Sequence, residues 1–64
     1  MPEVFLFTVR RSPTQHMFFN VEAQDSNGNY LFSYAVDMVL DDAMQLCDSL
    51  NHDLALGKQF LYTE

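Results

Sequence analysis

The sequence predicts a small α+β fold: a three-stranded antiparallel meander packed on one amphipathic helix, in the order β-β-β-α, with a short fourth strand as an optional last element. Three observations carry that expectation. An aromatic and β-branched run opens the chain, and an Asn-Gly pair separates two alternating segments. Apolar residues then recur at spacings of three and four.

Val4 to Arg10 (VFLFTVR) is rich in the residues that fit a pleated, half-buried surface and reads as the first strand. The polar stretch Arg11-Ser12-Pro13-Thr14-Gln15 reads as a turn, because proline cannot continue a ladder. His16 to Gln24 then alternates, with Met17, Phe19, Val21 and Ala23 on one side and His16, Phe18, Asn20, Glu22 and Gln24 on the other. Asn27-Gly28 is the strongest short-range signal for a two-residue type I′ hairpin, and Tyr30 to Val36 is the returning strand. Opposed residues would then have numbers summing to 55. Ala23 faces Phe32, Val21 faces Tyr34 and Phe19 faces Val36 on an apolar side; Glu22 faces Ser33 and Gln24 faces Leu31 on the other. A slip of one residue would set aromatic rings opposite Glu and Asn.

Leu40, Ala43, Cys47, Leu50 and Leu54, with Leu46 beside them, form a helical stripe. Asp37 is its expected N-cap and Gly57 its C′ residue. Residues 59–64 form a short last strand or a frayed tail.

Sixty-four residues suit a single domain, 1–64, whose stability is marginal because so short a chain buries little surface. At 48% hydrophobic and 14% aromatic, the composition is that of a folded protein. Cys47 is the sole cysteine, so no disulfide staples the fold and a reducing cytoplasmic setting is expected. No run approaches the roughly 18 apolar residues that cross a bilayer, and Met1-Pro2-Glu3 lacks the positive start of a signal peptide. No membrane partner is therefore expected.

The net charge of −6 is lopsided. Asp37, Asp41, Asp42, Asp48, Asp53 and Glu64 stand against Lys58 alone in the second part of the chain. Such a body repels phosphate backbones, which argues against direct nucleic-acid binding, and is drawn to basic protein surfaces.

The residues offer no catalytic constellation. Cys47 lies mid-helix on the apolar stripe and His52, five residues on, falls on another face, so no thiol–imidazole pair forms. Cys47, His16 and His52 lack the paired spacing of a zinc site. Asp25-Ser26-Asn27-Gly28-Asn29 has Tyr30 and Val36 where a calcium loop needs glycine and glutamate. Asp41 and Asp42 suit a solvated first helical turn. Enzyme, metal and cofactor readings are set aside, and a protein-binding role remains.

Two surfaces could serve it. Asp41, Gln45, Asp48 and His52 fall on one line of the helix, with Asp42, Ser49 and Asp53 beside it and no Lys or Arg between. Phe18, Leu31 and Ala35 are expected on the side of the sheet away from the helix, joined by one face of the first strand. That apolar patch would suit a protein partner or a homodimer. In size, charge and layout the chain resembles the small acidic inhibitors that phages encode, among them anti-CRISPR proteins and inhibitors of host polymerases or DNA-binding proteins. The resemblance implies an inhibitor or adaptor that blocks a basic nucleic-acid channel. The alternative is an assembly protein that binds copies of itself through the apolar sheet face.

Overall fold

The alternation that starts before Gln24 belongs to the central strand of a sheet. In the computed structural model, which describes residues 3–60, the elements run β1 (Leu6–Arg11), β2 (Phe19–Gln24), β3 (Tyr30–Met38) and α1 (Leu40–Ala55). The sheet order is β1-β2-β3 with both pairings antiparallel, so the expected α+β meander with one helix is the fold. Val4 and Phe5 precede β1, and His16 to Phe18 precede β2 rather than opening it. Of the expected last strand, 61–64 lie outside the described residues; the Val4 N–H donates to the Phe60 carbonyl at 3.2 Å, beside β1.

Phe7 pairs with Ala23 and Val9 with Val21, which puts these residues and Phe19 on one face. Ala43, Cys47 and Leu50 of α1 close over that face, and Phe7 and Val21 are its largest fully buried side chains. Each contributes roughly 1.5–3 kcal/mol by leaving water. Tyr34 and Phe60 meet the Phe7 ring edge to face, at centroid distances of 5.7 and 5.1 Å.

The hairpin departs from the two-residue turn. Gly28 N–H donates to the Asp25 carbonyl and Asp25 N–H to the Asn29 carbonyl, leaving Ser26, Asn27 and Gly28 as a three-residue loop. Gly28 takes φ 82°, the left-handed position that ends such loops. The Asp25 carboxylate holds the backbone N–H groups of Asn27 and Asn29, each at 2.9 Å. This Asx arrangement competes well with a tighter turn.

Register changes as a consequence. Glu22–Ser33 and Ala23–Phe32 pair as expected, but Gln24 meets Tyr30, Val21 meets Ala35 and Phe19 meets Met38. One extra residue enters β3 at each of three shifts. The β3 side chains that pack against the core are Leu31, Phe32, Ala35 and Met38. Tyr34 keeps its ring edge on Phe7 while staying partly exposed, and Val36, expected on that face, is exposed. Bulges also blunt β3 as an edge strand.

Asp37 is not the N-cap of α1. It sits in β3 at φ 55°, and Val39 occupies the cap with no side-chain hydrogen bond. Asp37 instead accepts from Ser12 Oγ and Gln15 Nε2, both at 3.3 Å, while its N–H donates to Asn20 Oδ1 at 3.1 Å. Aspartate tolerates the left-handed region better than most residues. These bonds tie the β1–β2 connection to the end of β3. The helix C-terminus follows expectation: Gly57, at φ 94°, donates to Leu54 and Lys58 to Asp53, the paired bonds of a Schellman motif.

Candidate docking surface

The helix lies nearest β1, and that placement decides which of its faces meets solvent. Asn51 Oδ1 accepts from the Phe7 N–H at 2.8 Å, and its Nδ2 donates to the Phe7 carbonyl at 2.9 Å. Cys47 Sγ donates to the same carbonyl at 3.2 Å. With Asn51 held against the β1 edge, Asp41, Asp42, Gln45, Asp48 and His52 turn outward and are all exposed. Asp41 and Asp48 stand about 10 Å apart along the axis, seven residues at 1.5 Å each.

Asp53 behaves differently. It is half-buried and its Oδ2 lies 3.8 Å from Lys58 Nζ. The face expected to lack a balancing cation therefore has one at its C-terminal end, because the Schellman turn brings Lys58 back over the last turn. The other ion pair among the described residues joins Arg10 to Glu22 at 3.6 Å, on the sheet. Neither pair involves Asp41, Asp42 or Asp48.

The sheet does not offer the expected apolar patch. Its far face pairs Leu6, Thr8 and Arg10 with Gln24, Glu22 and Asn20, and Ser33 stands opposite Glu22. Leu31 and Ala35 pack against the core, because the shifts in β3 rotate them inward. Phe18 is half-buried in the β1–β2 connection, where its carbonyl accepts from Ser12 N–H and its N–H donates to Gln15. Phe18 and Leu31, both expected on the sheet face away from the helix, are thus each half-buried.

An apolar feature that periodicity did not single out adjoins the acids. Leu40 was expected in the buried stripe, yet it is 43% exposed, and Met44 is 51% exposed. Together with Val9, Phe19, Cys47 and Asp48 they line an open groove of about 410 Å³. Projecting the helix at 100° per residue puts Leu40 and Met44 on the margin between stripe and acids, a signal that was available in the sequence. Cys47 at the floor is buried, and burial followed by the nearby Asp48 charge pushes its thiol above the ordinary cysteine range.

Among the described residues, no group of three or more His, Cys, Asp or Glu could hold a metal ion, and no helix is long and apolar enough to cross a membrane. Compared with known protein families, curated proteins and solved structures, the chain matches none.

Proposed function

We propose that this chain is a small acidic inhibitor or adaptor that docks through α1 on a basic surface of a nucleic-acid-binding protein or complex, of the kind phages direct against host defence or host machinery. One observation carries the reading: Asp41, Asp42 and Asp48 are exposed on one 16-residue helix, and neither ion pair among the described residues involves them. Carboxylates on a rigid rod substitute for phosphates in front of Arg and Lys side chains, which bind both through charge-assisted hydrogen bonds. The acids also serve the helix itself, since Asp41 and Asp42 sit in its first turn and complement the dipole. Asp48, two turns further on, has no such duty and distinguishes docking from capping.

The test is affinity capture from cell lysate at low and high salt, with the wild type beside a chain carrying Asp41→Lys and Asp48→Lys. Basic nucleic-acid-binding proteins should be retained by the wild type and released by salt, since exposed charges are screened beyond about 10 Å at 0.1 M ionic strength. The reversed chain should retain none of them. Equal retention by both chains would defeat the reading and leave the acids as solubilising groups.

A further inference from the structure

The groove beside the acids has a composition of its own. Phe19 and Val9 form its sheet wall, Leu40 and Met44 its helix wall, and Cys47 its floor. The floor makes no polar demand, because the Cys47 thiol is already spent on the Phe7 carbonyl. Two large apolar side chains stand in solvent at its mouth, an arrangement that water disfavours and a partner side chain would relieve. Charge is distributed unequally around it. On the sheet side, Arg11 lies 5.0 Å from the Phe19 ring centroid and its Nη1 donates to the His16 carbonyl, so that cation is engaged. On the helix side, Asp48 lines the groove and Asp41 is exposed two turns before it.

We infer that this groove is the anchor site for a protein segment presenting one bulky aliphatic or aromatic side chain flanked by Lys or Arg. The apolar side chain enters between Phe19 and Met44, and the flanking cations meet Asp48 and Asp41. The inference rests on the acidic helix face being a docking surface, and it adds the partner's chemistry: the acids steer, and the groove supplies the desolvated contact where binding energy concentrates. A second copy of this chain is a poor occupant. Each copy carries −6, and a twofold contact over the groove would bring two sets of Asp41 and Asp48 together.

A library of random short peptides panned on the wild-type chain tests this directly. The selected peptides should join a bulky apolar residue to Lys or Arg. On titration they should shift the backbone amide signals of Val9, Phe19, Leu40, Met44, Cys47 and Asp48. Met44→Gln, an exposed and uncharged change, should weaken them by about tenfold, the effect of losing roughly 1.4 kcal/mol of apolar contact. Replacing the peptide's apolar residue by Ala should do the same, which keeps the test decisive should Met44→Gln disturb the fold. Basic peptides that keep full affinity without the apolar residue, shifting only Asp41, Gln45, Asp48 and His52, would overturn the groove and leave acidic docking standing. Failure to select any basic peptide would overturn both. Groove signals that move with protein concentration alone would overturn the inference by showing a second copy as occupant.

Discussion

The side-chain amide of Asn51 pairs with both backbone groups of Phe7, as a neighbouring strand would. Phe7 is 1% exposed, so its N–H and carbonyl have no water to fall back on. One polar residue on α1 thereby closes a stretch of the β1 edge and fixes where the helix lies. Asn51→Leu should orphan the N–H and leave the carbonyl only the weak Cys47 thiol, at about 1–3 kcal/mol for the unsatisfied group. Asn51→Asp should be no better, since it loses the donor and sets a carboxylate against the Phe7 carbonyl. Urea denaturation measures both; a loss within error would show that the pair is incidental.

Gly28 needs backbone freedom rather than space. A Cβ there would meet nothing within 4 Å, yet its φ is 82°. Gly28→Val should therefore cost upwards of about 1 kcal/mol through backbone strain alone, and Gly28→Asn clearly less. Thermal melts that rank valine level with asparagine would remove the left-handed loop position.

Asp25 links that loop to pH. The Asn29 N–H chiefly holds its carboxyl below the ordinary aspartate range; desolvation opposes it, and the Asn27 N–H and the Asn29 side chain add to the lowering. A depressed folded pKa means stability that is present above the unfolded value of about 3.9 and lost as pH falls through the folded value. Wild type should therefore exceed Asp25→Ala in stability at neutral pH, and the gap should narrow as the solution is acidified below that range. A gap that ignores pH would mean the carboxylate's charge plays no part in the turn.

Cys47 should be slow to alkylate in the native state. Its buried thiol is held neutral, and the thiolate is the reactive form. Because its folded pKa is raised, the associated stability is complete below the ordinary thiol value of about 8.5 and is lost as pH rises through the folded value. Native labelling should lag behind labelling in denaturant and accelerate only in more alkaline solution. Labelling at the rate of a free thiol would place Cys47 on the surface.

For the acidic face, the Asp41→Lys and Asp48→Lys chain should melt within about 0.5 kcal/mol of wild type, since both positions are exposed. A larger loss would mean that the acids hold the helix together, and capture results on that chain would then report folding.

Patterns confined to neighbouring residues were legible in the sequence. Alternation identified β2, spacings of three and four identified α1 with Ala43, Cys47 and Leu50 inward, and Gly57 marked the helix end. The acids Asp41, Asp42 and Asp48 were legible as exposed for the same reason: the period of a helix fixes its faces relative to each other. What periodicity cannot supply is where the partners lie. Asp37 looked like a cap, but Ser12, Gln15 and Asn20, far away in the chain, claim it for β3. Leu40 looked buried, but the way α1 packs on the sheet leaves Leu40 and Met44 exposed at the mouth of a groove. The β3 register likewise followed from a three-residue loop and three extra residues rather than from alternation. Local sequence determines which side chains share a face. Only long-range hydrogen bonds and packing decide which face is covered.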